Sequence, residues 1–267
     1  MSALLHLMLA GKPLQGLVVD AHGHLGPSPA FHIPDNGPAA MAARMDRVGI
    51  RRLCIASHTA CYADFGAGND ETAAALDAFP DRFIGGIVLN AHDPDEIGPE
   101  LDRCLALSPS KGGFRYIKLH SSLHKYRLDS EACEPIWREA ERRNLPVLVH
   151  SWAGSPDCGY DACKKVAMAH PDVRLILGHS LAPDGYDDAC RLVEAHPNVY
   201  LDTVTSLVNY GQLDFMVTRI GAERILYGSD MPFLDPAPQL AKVVFARIPD
   251  DAKRRILGGN AARLLAL

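Results

Sequence analysis

Eight short apolar runs alternate along the chain with longer segments in which apolar residues recur every three or four positions. Short runs of this kind predict β-strands, and the longer periodic segments predict helices. The eight predicted strands are residues 17–20, 52–56, 83–89, 114–120, 147–150, 173–177, 199–202 and 225–228. The predicted helices between them are residues 39–48, 71–79, 94–107, 130–143, 160–170, 187–196 and 213–220.

Eight such units in a chain of 267 residues predict one (β/α)8 TIM barrel domain that covers residues 1–267. The alternative is a doubly wound open sheet, which usually carries a glycine-rich phosphate-binding loop after its first strand. Here the first strand is followed by histidines, His22 and His24. A barrel brings the carboxyl ends of all its strands to one face, so we expect the active site there.

Composition and charge exclude several classes of function. A formal net charge of −5 without a long basic run disfavours nucleic-acid binding. No apolar stretch is long enough to cross a bilayer, and we interpret residues 1–10 as an N-terminal cap on the barrel rather than a signal peptide. Seven cysteines without CxxC spacing are typical of reduced thiols. We therefore expect a cytoplasmic protein with a small-molecule substrate and no membrane partner; a homo-oligomer is left open.

Polar residues that bind metals or move protons stand at or just after the carboxyl ends of five predicted strands. In strand order these residues are His22, His24, Lys118, His150, His179 and Asp230. The two histidines of the first strand are two positions apart and share a face. A single His-x-His is weak support for a metal site, but converging histidines and a carboxylate form a ligand set suited to zinc, iron or manganese.

These motifs, in this order, resemble the amidohydrolase superfamily, in particular its metal-dependent enzymes similar to aminocarboxymuconate-semialdehyde decarboxylase. The matching residues are Asp20-Ala21-His22-Gly23-His24, Ile117-Lys118-Leu119-His120, Val149-His150-Ser151, Leu177-Gly178-His179 and Tyr227-Gly228-Ser229-Asp230-Met231-Pro232. Residues 259–265 resemble the last helix of that family. The resemblance spans nearly the whole chain and implies a barrel of the metallo-dependent hydrolase type, but it does not fix the substrate.

The resemblance also implies a role for each residue. His22, His24, His150 and Asp230 would hold one divalent metal ion, zinc in the first place, and leave a position for water. Asp230 would accept a proton from that water as the general base. His179 would bind a second metal ion or hydrogen-bond the metal-bound water and the substrate, and it would also be able to act as the general acid.

Lys118 has two interpretations. In two-metal members of the superfamily, a lysine of the fourth strand is carboxylated and bridges the metals. An unmodified ammonium that balances Asp230 or binds a substrate carboxylate is an equally good explanation. Burial of a lysine is costly unless it is paired, so a role at the site is expected in both cases.

Three further residues are candidates for substrate binding. His58 follows the second strand in a predicted loop with Tyr62, which we interpret as a lid. His120 shares a face with Lys118, and Trp152 follows the fifth strand. Packing within a loop explains each of the three at least as well.

The leading hypothesis is a metal-dependent hydrolase of a small amide, lactone or ester, with a metal-activated water as nucleophile. The alternative is a non-oxidative decarboxylase of an aromatic or muconate-like carboxylic acid. Such relatives often carry an acidic residue two positions before the first histidine, where this chain has Asp20. A binding protein without turnover is disfavoured because the ligand set is complete.

Overall fold

Eight parallel strands form one sheet, and each strand pairs with the next one along the chain. The computed structural model describes residues 2–107, 113–206 and 211–267. The strands are β1 (Val19–Leu25), β2 (Arg52–Ser57), β3 (Phe83–Val88), β4 (Phe114–Leu119), β5 (Val147–His150), β6 (Leu175–Gly178), β7 (Val199–Asp202) and β8 (Ile225–Leu226). The predicted (β/α)8 barrel is confirmed.

Backbone hydrogen bonds between β1 and the segment after β8 close the barrel. Asp230 N donates to His22 O (2.8 Å), and His24 N donates to Met231 O (2.7 Å). The closure therefore sets the eighth-strand aspartate directly beside the two first-strand histidines.

Helices surround the sheet and include all seven predicted ones. They are α1 (Ala3–Leu9), α2 (Pro38–Val48), α3 (His58–Tyr62), α4 (Phe65–Ala78), α5 (Ile97–Leu107), α6 (Ser121–His124), α7 (Glu134–Arg143), α8 (Tyr160–Ala169), α9 (Tyr186–Ala195), α10 (Gln212–Ile220), α11 (Pro236–Phe245), α12 (Asp250–Arg254) and α13 (Asn260–Leu264). Shorter helical turns cover Pro94–Glu96, Glu131–Cys133, His179–Leu181 and Arg255–Gly259. The N-terminal segment forms α1, which packs against α11; Met1 lies outside the described residues.

Two local predictions are wrong. β1 does not end at Asp20 but continues to Leu25, because its polar and glycine residues stay paired with β2 across a bulge between Asp20 and Gly23. The predicted loop after β2 is helical instead. Ser57 caps α3 by accepting from Thr59 N (3.0 Å), and an aspartate caps α4 in the same way.

Inward-facing apolar side chains fill the interior of the barrel. From β4 to β7 they are Tyr116, Leu148, Ile176 and Tyr200. Leucine and alanine side chains of α13 pack onto this layer from the amino end. Within the part of the chain that the structure describes, these side chains close the amino end, so we expect a ligand to enter from the carboxyl end.

All seven cysteines are buried free thiols. Within the described ranges, none of the helices is both long enough and apolar enough to cross a bilayer.

Candidate metal centre

Three polar residues form the next inward-facing layer of the barrel, between the apolar interior layer and the carboxyl end. Lys118, His150 and Asp202 each follow an interior side chain by two residues and so point the same way. On β6 this position is Gly178, where a Cβ atom would lie only 2.9 Å from His22 Cε1. The missing side chain makes room for the His22 ring at the centre of the site.

His22, His179 and Asp230 form a group suited to a divalent cation. Each contributes one ligand atom, and the three atoms lie within 4.8 Å of one another. His22 Nε2 is 3.7 Å from Asp230 Oδ1, and the rings of the two histidines are 5.0 Å apart between centroids. Two imidazole nitrogens and a carboxylate oxygen are typical zinc ligands.

Asp202 orients two members of this group. His22 donates its Nδ1 proton to Asp202 Oδ2 (2.7 Å), which leaves the lone pair on Nε2 toward Asp230. Asp202 Oδ1 accepts from the backbone N of His179 (2.8 Å). A carboxylate behind a ligating histidine fixes its tautomer and ring orientation. We did not predict Asp202 from the sequence, although its position at the end of β7 follows the same rule as that of Lys118.

His179 lies in a left-handed turn. The φ angles of His179, Ser180 and Leu181 are 67°, 50° and 57°, each of which costs roughly 1–3 kcal/mol for a non-glycine residue. The turn is held by Leu181 N donating to Ser151 Oγ (3.2 Å) and by a hydrogen bond from Ser180 Oγ to Asp202 O. Tertiary contacts therefore maintain a strained backbone that brings the imidazole to the metal group.

Lys118 is almost completely buried, and its Nζ donates to His22 Nε2 (2.8 Å). That nitrogen has one lone pair, which serves either Lys118 or a metal ion. The contact brings Lys118 to the centre of the site, as expected, and both interpretations of this residue stay open.

His24 borders the same aspartate, with its Nε2 3.3 Å from Asp230 Oδ1. His58 lies behind it: the two rings are stacked 4.8 Å apart, and His58 donates its Nδ1 proton to Gly26 O (2.8 Å). His58 thus supports His24 and the chain that follows β1.

His150 reaches the group through His179, with the two ring centroids 4.6 Å apart. Its ring is nearly parallel to those of His120 (4.2 Å) and Trp152 (6.0 Å). The predicted substrate-binding residues His120 and Trp152 therefore flank a predicted metal ligand, and both border the cavity over the site.

Burial lowers the pKa of His22 and His179 well below the usual value for histidine, so both imidazoles are neutral. Burial alone would raise the pKa of Asp230. The nitrogen-bearing side chains of His22, His179 and Lys118 border this carboxylate, favour its ionised form over burial and hold the pKa of that carboxyl below its usual range. Neutral imidazoles beside an ionised carboxylate are in the protonation states that metal binding needs.

Asp20 does not join the metal group but links β1 to the segment after β8. Its Oδ1 accepts from the backbone N of His22 (3.2 Å) and of Ser229 (3.0 Å). Burial raises the pKa of Asp20 to about 7.

The Amidohydrolase family model matches residues 19–267. The chain belongs to the amidohydrolase family. It is therefore an enzyme of the amidohydrolase superfamily, and the resemblance found in the sequence is confirmed. Membership of this family also supports a divalent metal ion at the His22, His179 and Asp230 group.

Curated relatives share a quarter or less of their residues with this chain. Gamma-resorcylate decarboxylase of Rhodococcus jostii is 23% identical over 254 residues, covering 74% of this chain and 75% of the relative. The 2-amino-3-carboxymuconate-6-semialdehyde decarboxylase of Dictyostelium discoideum is 25% identical over 240 residues, covering 74% of this chain and 65% of the relative.

The solved structures that this chain resembles include 5-carboxyvanillate decarboxylase of Novosphingobium aromaticivorans in complex with manganese. It has a TM-score of 0.69 and 17% identity, and the alignment covers 94% of this chain and 96% of the other. At this identity the likeness concerns the fold.

The prediction that this amidohydrolase cleaves an amide, lactone or ester is wrong. The relatives that match it are decarboxylases, which agrees with the alternative instead. The motifs could not separate the two reactions, because histidines and an aspartate at the same barrel face serve both chemistries.

The cavity above the site has a volume of about 720 Å³. Four apolar residues of its wall were not predicted from the sequence. Phe31 and Ile33 come from the segment after β1, and Phe233 and Leu234 come from the segment after β8. The available signal was the presence of apolar residues in the segments that follow the two metal-binding motifs, at Phe31 and Ile33 after His24 and at Phe233 and Leu234 after Asp230. The assignment of individual site residues to metal, catalysis and substrate stays a prediction.

Proposed function

We propose that this amidohydrolase is a metal-dependent, non-oxidative decarboxylase of an aromatic or muconate-like carboxylic acid. The activities of the curated relatives support this proposal, as does Asp20 at the acidic position of the first motif. The observation that carries it is the Asp230 carboxylate, grouped with His22 and His179 within 4.8 Å on the floor of a substrate-sized cavity.

The reaction balances without an oxidant or a reductant. The bond between the substrate carbon and its carboxylate breaks, carbon dioxide leaves, and the electron pair stays on the substrate carbon. That carbon takes up one proton. The protein must therefore hold the carboxylate, orient the carbon skeleton and deliver a proton to one carbon atom.

His22, His179 and Asp230 would hold the divalent ion, with His24 and His150 as the other proposed ligands. When bound, this ion supplies positive charge for the substrate carboxylate. We propose zinc, because the donor set is rich in imidazole. Manganese, which a related fold binds, is the alternative to test.

Asp230 is the proposed proton carrier. As a carboxylate it would accept a proton from solvent, and the protonated carboxyl would then donate that proton to the substrate carbon. His179 is held by its strained turn beside His22 and His150 and is proposed to orient the substrate. Trp152 and His120 would position the carbon skeleton from the cavity wall.

The test is carbon dioxide release by the metal-loaded protein. Zinc-loaded and manganese-loaded samples are assayed with hydroxybenzoates and unsaturated dicarboxylates, and bound metal is counted by elemental analysis. We expect about one metal ion or more per chain. We also expect at least one acid to release one molecule of carbon dioxide for each molecule consumed. Full metal loading without any release would reject the proposal.

A further inference from the structure

The cavity above the candidate metal centre separates charge from apolar surface. Its floor carries Asp230, with Lys118 directly beneath at His22. Above Asp230, none of the described residues that line the cavity is a lysine, arginine, aspartate or glutamate.

The upper wall is apolar. Phe31 meets Phe233 edge to face, with ring centroids 5.4 Å apart, and Phe233 in turn packs on His24 at 5.9 Å. Ile33 and Leu234 continue this surface. The polar groups on the rim are the hydroxyls of Ser206 and Tyr62 and the exposed imidazole of His32. A carboxylate placed against the apolar wall would lose water without gaining a lysine or arginine partner.

The lower wall consists of flat rings. His120, His150 and Trp152 form one nearly parallel series, with interplanar angles of 12° and 8° between neighbours. A flat, uncharged ring matches these faces, since aromatic groups pack in stacked and edge-to-face arrangements.

We propose that the substrate is an aromatic acid with one carboxylate, bound at the floor, and no second charged group. This inference rests on the proposed decarboxylase function and narrows it. Of the two substrate types in that proposal, it selects aromatic monocarboxylates over muconate-like dicarboxylates.

Binding of three matched acids to the metal-loaded protein tests this by isothermal titration calorimetry. The probes are salicylate, its 5-carboxylate derivative and its 5-carboxamide derivative. The carboxamide has nearly the size of the carboxylate but no charge. We expect salicylate and the carboxamide to bind within about threefold of each other and the dicarboxylate to bind at least tenfold more weakly.

Two pairs of variants locate the selection in the upper wall. Leu234→Arg should raise the affinity for the dicarboxylate, relative to that for salicylate, about tenfold. Leu234→Gln should leave this ratio unchanged. Phe31→Arg and Phe31→Gln form a second pair at a side chain that is 63% exposed, where an arginine is tolerated by the fold. A smaller shift of about threefold is expected there because solvent screens the charge.

Equal or tighter binding of the dicarboxylate by the unmodified protein would overturn the inference. So would a carboxamide as weak as the dicarboxylate, which would indicate size selection, or failure of all three probes to bind. Salicylate-type binding without carbon dioxide release would reject the decarboxylase but leave the charge selection intact. Preferred decarboxylation of a dicarboxylate would support the decarboxylase but reject the charge selection.

Discussion

The amino and carboxyl faces of this barrel both bury polar side chains, but their histidines have different partners. At the amino face, Asn198 Nδ2 donates to His170 O (3.1 Å) and Val173 O (2.9 Å). The two ring nitrogens of His170 lie 3.1 and 3.3 Å from carboxylate oxygens of Glu141 and Glu134. These residues join neighbouring loops and leave no ring nitrogen of His170 for a ligand.

At the carboxyl face, imidazoles face each other and the Asp230 carboxylate. His22, His24 and His179 surround Asp230, and the His179 backbone is strained. Such an arrangement disfavours folding unless a cation or a substrate completes it. The same residue types thus stabilise the fold at one face and form a binding site at the other.

Removal of both first-strand histidines should cause the largest loss of function at the carboxyl face. His22→Ala combined with His24→Ala should abolish metal binding and activity, since both rings border Asp230. The fold should persist because apolar side chains fill the barrel below. Elemental analysis measures the bound metal, and circular dichroism checks that the fold persists. Normal metal occupancy in the double variant would show that the site is misplaced.

Asp230→Asn should retain metal but lose roughly a hundredfold or more of turnover, because an amide oxygen binds a cation yet accepts no proton at working pH. The backbone at this position has φ 63°, a conformation that asparagine tolerates as well as aspartate does. Turnover is normalised to measured metal content. Rates near those of the unmodified enzyme would remove Asp230 from proton transfer and move that role to His179.

Asp202→Asn should weaken metal binding about 10- to 100-fold. The asparagine oxygen still accepts from His179 N, but its NH₂ group would face His22 Nδ1 and force the ring proton onto Nε2. Chelator competition measures affinity, and nitrogen-15 NMR of His22 in the metal-free protein reports the tautomer. An unchanged tautomer would show that Asp202 has only a structural role.

Asn198→Ala should have the smallest effect on the site, although it lies just before the same strand as Asp202. The loss of its two hydrogen bonds should destabilise the fold by about 1–3 kcal/mol, because Val173 O loses this partner while His170 O still accepts from Val173 N. Metal affinity should not change. Denaturant unfolding and chelator competition measure the two quantities. Weakened metal binding would mean that the two faces are coupled.

Local sequence patterns predicted most of the architecture. Alternation of apolar runs and periodic segments predicted eight strands and seven helices, since both signals depend on near neighbours in the chain. The order of motifs predicted His22, His179 and Asp230 at one barrel face, which the structure brings within 4.8 Å. The end of β1 was misjudged because pairing with β2 continues through residues that read as a turn.

The sequence by itself determined the barrel and which strand ends carry metal-binding residue types, because strand order and side-chain alternation are local properties. Only the tertiary structure decided that Asp202 holds His22, that Lys118 reaches the same imidazole, and that Phe31 and Phe233 meet above them. These contacts join residues 96 to 202 positions apart. Their existence depends on barrel closure and side-chain direction, which no local pattern encodes.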